Sequence, residues 1–178
     1  TLDVEGGLAK SIQSDAQAVV MIGTYDSCDK FINLARNKEF NPLFHNVSFV
    51  GSTELARRLG DAGQGVIVTQ VGPPPNIGRH HDTLPGVKEY IDLLDRYYPD
   101  SAPSFVGLEG YLNARILTEG IKRAGRGITR EKFIQAIESI QNYDLGIQNL
   151  LSFGKNDYQG LDNVYYTMIQ DGKLVLVQ

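Results

Sequence analysis

Three consecutive prolines, Pro73 to Pro75 after Gly72, divide this chain more firmly than any other feature of its sequence. Each lacks a backbone donor and fixes φ, so neither a helix nor a central strand can run through them. The two sides differ in pattern. Before the prolines, helical periodicity alternates with short apolar runs; after them come helices alone and then strands. A chain of 178 residues suits one domain or two small lobes. The proline run marks a domain boundary, with an α/β segment at 1–71, the prolines and a polar loop at 72–83, a helical segment at 84–149, and a closing segment at 150–178 that ends in a β-hairpin.

In the first segment, Val4, Leu8 and Ile12 form one stripe and predict a helix from about Asp3 to Ser14, with Asp3 as N-cap. The β-branched run Ala18 to Gly23 suits a strand covered on both faces of a parallel sheet. Cys28, Phe31, Ile32 and Ala35 then predict a helix starting near Asp26 or Ser27 and place Cys28 in the core. Ser48 to Gly51 reads as a second strand. Ser52 and Thr53 follow as N-cap candidates for a helix carrying Leu55, Ala56 and Leu59 and ended by Gly60. Val66 to Val71 is the third strand, and the alternation is that of an α/β layer with right-handed crossovers.

Beyond the polar stretch Asn76 to Thr83, Pro85 suits the first position of a helix to Tyr98, with Val87, Tyr90, Ile91, Leu94 and Tyr97 inward. A long helix, Ser104 to Ala124, is apolar nearly all round and is expected to be buried on most of its circumference. Gly107 and Gly110 cost it about 1 kcal/mol each, which predicts close approach of another group. Thr129 caps a helix through Ile140. Strands are expected at Leu151 to Phe153, Val164 to Gln170 and Lys173 to Val177, with Asp171-Gly172 as a hairpin turn.

Composition removes several functional classes. The net charge is −4 and the basic residues are scattered, which disfavours nucleic acid. A single cysteine excludes an internal disulfide and a thiolate zinc site. No apolar run approaches the roughly 20 residues of a membrane-spanning helix. No signal peptide is visible, and a first residue of Thr suggests processing or truncation. His80 and His81 beside Asp82 point in different directions and have no second ligand cluster, so a solvated loop is expected and no metal. Gly60, Gly63 and Gly65 lie between a helix and a strand, the wrong place and order for a dinucleotide loop. There is no P-loop and no G-x-S-x-G elbow, and Asp61 with Glu54, or Asp92 with Asp95, read as solvated surface pairs. Neither catalysis nor a cofactor is predicted.

The strand-to-helix turns Gly23 to Ser27 and Gly51 to Glu54 remain. Ligands collect at the carboxyl ends of parallel strands, where helix N-termini present free N–H groups. Thr24, Tyr25, Ser52 and Thr53 could bind a small polar ligand there, with Tyr25 as an aromatic wall. The alternative is that Asp26, Ser27, Ser52 and Thr53 are only helix caps.

Taken in order, Ala18 to Gly23, Phe31-Ile32 through Ala35-Arg36, Ser48 to Gly51, and Gly65 to Val71 with Pro73 to Pro75 form a specific series. It continues through Ser104-Phe105, Leu108 to Leu112, Arg123 to Gly125, Thr129 to Glu131, Ala136 to Glu138, Tyr143 to Gly146 and Leu151 to Phe153. The series resembles the branched-chain amino-acid receptors among type I periplasmic ligand-binding proteins, the substrate-binding components of ABC transporters. The resemblance implies two α/β lobes joined by three crossing segments that close on an amino acid or similar small carboxylated molecule. It also implies a periplasmic or extracellular location and an ABC permease as partner.

By the same resemblance, 1–71 belongs to the C-terminal lobe, 72–83 is the crossing segment and loop, 84–149 belongs to the N-terminal lobe, and 150–178 crosses back near Ser152 to Asp157 and returns to the C-terminal lobe as the closing hairpin. The positions matching ligand-facing sites are Thr24 or Tyr25, Ser52 or Thr53, and Phe105. Relatives pair the ligand ammonium with an acidic residue near the second position, where this chain has Thr53 with Glu54 one step away. Family members are about twice as long, so the chain resembles a C-terminal fragment whose helices, above all Ser104 to Ala124, would expose apolar surface and favour self-association. The alternatives are an extracellular ligand-sensing domain of a signalling protein and a small α/β enzyme.

Overall fold

The computed structural model describes residues 3–75 and 84–177. In chain order the first elements are α1 (Glu5–Gln13), β1 (Ala18–Met21), α2 (Tyr25–Asn37), β2 (Leu43–Asn46), α3 (Ser52–Leu59) and β3 (Ile67–Gln70). The prolines follow, then α4 (Pro85–Tyr97), α5 (Phe105–Ala124), α6 (Arg130–Glu138) and the short strands β4 (Tyr143–Asp144) and β5 (Leu150–Leu151). The chain closes with β6 (Tyr165–Gln170) and β7 (Lys173–Leu176). It divides into two compact units: Thr1–Val71 with Val164–Gln178, and Gly72–Asn163.

The first unit is built on a five-stranded sheet in the order β1-β2-β3-β6-β7. The first three strands are parallel, and β6 and β7 add antiparallel neighbours. Strand side chains alternate between faces. Met21, Phe44, Val68 and Ile169 share the face on which Leu8 of α1, Ile32 and Ala35 of α2, and Leu55 and Leu59 of α3 are buried. The opposite face stays open, with Val20 67%, Leu43 48% and Tyr166 46% exposed. The expectation of a first strand covered on both faces is therefore corrected: β1 is an edge strand, and every helix of this unit whose apolar stripe is buried packs on one side. Arg36 braces the unit, with its guanidinium 5.1 Å from the Phe44 ring centre and donating to the Gln64 carbonyl at 3.1 Å and to Asn41 Oδ1 at 2.7 Å.

Other local expectations also change. Ser48 to Val50 is a 3-10 turn, not a strand, because the ladder uses Leu43–Asn46, whose alternate residues Phe44 and Asn46 point inward. Of the apolar pair in that turn only Val50 is buried, and Phe49 is exposed. In α1 only Leu8 is buried, and Val4 rather than Asp3 is the N-cap. The closing hairpin forms as expected, with Asp171 and Gly172 both at positive φ.

The second unit packs α4, α5 and α6 with the antiparallel pair β4–β5. Its core contains Val87, Tyr90, Leu108, Leu112, Ile140, Leu145, Ile147 and Leu151. Pro85 opens α4 as predicted, while Tyr97 is exposed rather than inward. Ser104 caps α5 by accepting from Gly107 N at 3.0 Å, and Thr129 caps α6 by accepting from Lys132 N at 3.3 Å. The α6 helix ends at Glu138, and Ile140 is buried just beyond it.

Burial of α5 is confined to the side of Leu108, Leu112 and Gly120, and Val106, Leu117 and Ile121 are exposed, so the expectation of near all-round burial is corrected. The close approach predicted at Gly107 is real: the Tyr90 hydroxyl occupies the space a Cβ would need. Gly110 faces open space, so its cost has no such reason. The predicted strand at 151–153 is shorter and pairs with β4, which periodicity did not show.

Candidate functional site

Because β1 and β2 are neighbouring parallel strands, their carboxyl ends lie side by side at one edge of the sheet. From β1 the chain enters α2 through Gly23 and Thr24; from β2 it passes the 3-10 turn and enters α3 through Gly51. Gly51 is in the left-handed region at φ +76°, and a Cβ there would stand 3.1 Å from Tyr25 Cδ1. The backbone conformation and the close approach of Tyr25 together require glycine. The two turns are thus in direct contact.

Within these turns the caps are not the predicted side chains. Thr24 is the N-cap of α2 and Gly51 that of α3, and neither helix has a side-chain cap hydrogen bond. Thr24 is exposed, and its carbonyl accepts from Cys28 N and from the Ser27 hydroxyl, each at 3.1 Å. Ser52 is buried as the first residue of α3, and Thr53 is exposed one position on. The reading of Asp26, Ser27, Ser52 and Thr53 as mere N-caps is overturned, and the first N–H groups of both helices lack that satisfaction.

A charged cluster flanks the turns. Arg58, near the end of α3, lies 4.6 Å over the Tyr25 ring centre. It donates to Glu54 Oε1 at 2.7 Å and reaches across to Asp26 Oδ1 at 2.7 Å. Arg57 donates to both oxygens of Glu54, at 2.7 and 2.8 Å. Hydrogen bonds from Arg57 and Arg58 hold the Glu54 carboxyl at about 2. Glu54 is consequently ionised but already engaged, and neither a pair with Asp61 nor a free partner for a ligand ammonium describes it. The sequence reading missed Arg58; the signal was a basic residue four positions after Glu54 on a helix.

Two further polar groups lie near this edge. Asn46, at the end of β2, is fully buried, and neither its amide oxygen nor its amide nitrogen has a hydrogen-bond partner among the described residues. Such a group is met by ordered water in most proteins. Gln70, at the end of β3, donates to Thr167 Oγ1 at 3.2 Å, and Thr167 donates to the Val68 carbonyl at 2.9 Å. Cys28 is in the core as predicted, and burial pushes its thiol up, away from the nucleophilic thiolate.

Thr24, Tyr25, Ser52 and Thr53 therefore share one edge of the first unit. Phe105 belongs to the second unit, where it is the half-buried first residue of α5. His80, His81 and Asp82 lie outside the described residues. Among the described residues there is no cluster of three or more His, Cys, Asp or Glu able to hold a metal, and no helix is long and apolar enough to cross a membrane.

The family pattern of periplasmic binding proteins matches residues 1–173. A possible leucine/isoleucine/valine-binding protein from Rhodopirellula baltica SH 1 is 38% identical, with a TM-score of 0.89 over 100% of this chain and 47% of that one. A branched-chain amino acid ABC transporter protein from Thermus thermophilus, solved with bound valine, has a TM-score of 0.78 at 21% identity, covering 99% of this chain and 49% of its own. A fatty acid ABC transporter substrate-binding protein from Thermomonospora curvata has a TM-score of 0.81 at 20% identity, covering 99% and 46%. No curated protein matches. The chain belongs to the periplasmic binding protein family, whose members are extracytoplasmic solute-binding receptors and not enzymes. It spans about half the length of the solved structures it matches.

Proposed function

We propose that this chain is part of an extracytoplasmic solute-binding receptor of an ABC transporter, in the periplasm or outside the cell, and that its ligand is an amino acid or a similar small carboxylated molecule. The observation that carries the reading is the pair of touching turns at the carboxyl edge of β1 and β2. Both start helices whose first N–H groups have no side-chain cap, and helix N-termini favour a carboxylate.

Thr24 and Thr53 offer exposed hydroxyls, Ser52 a buried one, and Tyr25 an aromatic wall; Phe105, in the second unit, is kept as a ligand-facing candidate by the family likeness alone. Since Glu54 is engaged by two arginines, the carboxylate end of the ligand is the end this edge recognises. A permease is the partner that transport requires. The lobe assignment follows the same reading, with 1–71 and the closing hairpin in the C-terminal lobe, 84–149 in the N-terminal lobe, and crossings assigned to 72–83, of which 76–83 lie outside the described residues, and to the start of 150–178.

Thermal unfolding with L-leucine, L-valine, octanoate and succinate tests the reading. A ligand at 100 times its Kd raises stability by about 2.7 kcal/mol. Stabilisation by the amino acids, lost in Tyr25→Ala, is expected. Stabilisation by octanoate alone would move the ligand class to fatty acids, and no shift with any of the four would sink the carboxylate reading.

A further inference from the structure

We infer that Arg58 is a positioning residue that locks the two strand-to-helix turns together and fixes the orientation of Tyr25, an inference that rests on reading those turns as ligand-facing. Arg58 is carried by the last turn of α3, yet its guanidinium reaches the first turn of α2. It is engaged on three sides: by Asp26 at 2.7 Å, by Glu54 at 2.7 Å, and by the Tyr25 ring 4.6 Å away. Asp26 and Glu54 each occupy the first turn of their own helix, where the helix dipole already favours an anion. The arginine therefore ties the start of α2 to the start of α3. Tyr25 has the guanidinium over its ring, and its Cδ1 edge takes the space beside Gly51, where a Cβ would stand only 3.1 Å away.

Only a planar, delocalised cation can stack on the ring and donate sideways to two carboxylates at once; a lysine ammonium would have to choose. The charges of Asp26, Glu54, Arg57 and Arg58 cancel. The ligand-facing wall beside Tyr25 is accordingly aromatic and not cationic. Half-exposed ion pairs add little to stability, so the role of this cluster is placement. Arg57 supplies the internal control. It is far more exposed and, among the described residues, pairs with Glu54 and makes no ring contact with Tyr25.

The test compares the full chain with Arg58→Met, Arg58→Lys and Arg57→Met. Two readouts are taken: nitration of Tyr25 by tetranitromethane, mapped by mass spectrometry, and L-leucine affinity by calorimetry. Arg58→Met is expected to raise Tyr25 nitration severalfold and to weaken leucine binding about tenfold, with the thermal midpoint nearly unchanged. Arg58→Lys falls between, and Arg57→Met, which leaves the guanidinium of Arg58 over the Tyr25 ring, keeps the parent's level of Tyr25 nitration. Unchanged nitration in Arg58→Met and Arg58→Lys, or an equal response in Arg57→Met, overturns the inference. If the parent does not bind leucine, the amino-acid reading fails separately, and the nitration comparison still decides the role of Arg58.

Discussion

Both units bury large side chains, and they differ in where their packing is tightest. In the first, large side chains fill the space between one face of a sheet and its helices: Phe44, Ile32, Leu55 and Val68 are almost completely buried. In the second, the tightest places are those where a side chain is missing. Gly86 N donates to the Gly146 carbonyl at 2.8 Å, and a Cβ on Gly86 would land on the Leu145 carbonyl oxygen. Gly120 leaves room for Ile137 and Phe133 in the same way. The first unit should thus suffer most from removing atoms and the second from adding them.

The largest expected effect is on the first unit. Phe44→Ala removes a ring that also meets Phe31 edge-on at 6.3 Å, and should cost about 3–5 kcal/mol. Hydrogen exchange should accelerate across α2 and β1 to β3, and an equal acceleration in α4 to α6 would break the comparison. Next comes Gly86→Ala, which should cost about 3 kcal/mol by overpacking the α4 entry against the loop after β4. Its exchange signature should be confined to the second unit.

A smaller effect of opposite sign sharpens the contrast. Gly110 lies inside α5 with nothing within 4 Å of the place an added methyl group would take, so Gly110→Ala should stabilise by about 0.5–1 kcal/mol, read as a rise in denaturant midpoint. A loss there would show that α5 is packed on a side where the structure leaves it open.

The smallest effect is on pH dependence. The folded Glu54 carboxyl sits at about 2, below its ordinary value of 4.5. Its contribution is therefore complete above about 4.5 and fades as pH falls through 2. An NMR titration of the Glu54 side chain should show it ionised at about pH 3, and Arg58→Met should move its midpoint upward. A titration midpoint near 4.5 in the parent chain would remove the arginine cluster from the site.

Most of this architecture was legible where periodicity and punctuation coincide. Pro85 opening α4, Ser104 and Thr129 capping α5 and α6, and Asp171-Gly172 turning the last hairpin are local chemistry, and local chemistry is written in adjacent residues. What the pattern missed depends on partners distant in sequence. Leu43–Asn46 is a strand because it pairs with β1 and β3, whereas Phe49-Val50 looks more apolar and is not. Coverage of β1 and α5 depends on which elements pack on each face, and a hydrophobic stripe does not announce the absence of a neighbour.

The site divided along the same line. Both turns were visible as glycine followed by hydroxyl residues after an apolar run. The Arg58–Tyr25 contact joins residues on two different helices, and no spacing within one helix reveals it.

The pairing of β3 with β6 has a consequence for how the molecule is made. Gln70 and Tyr165 are register partners, yet the whole second unit is written between them. During synthesis β1 to β3 and their helices emerge before the second unit and must wait, with β3 lacking its antiparallel neighbour, until β6 and β7 leave the ribosome. Closing so long a loop is entropically costly when the insert is unfolded and cheaper once it has condensed into a unit of its own. The order of folding this favours is the insert before the completed sheet, so β6 and β7 finish a sheet that β1 to β3 began long before them in the chain.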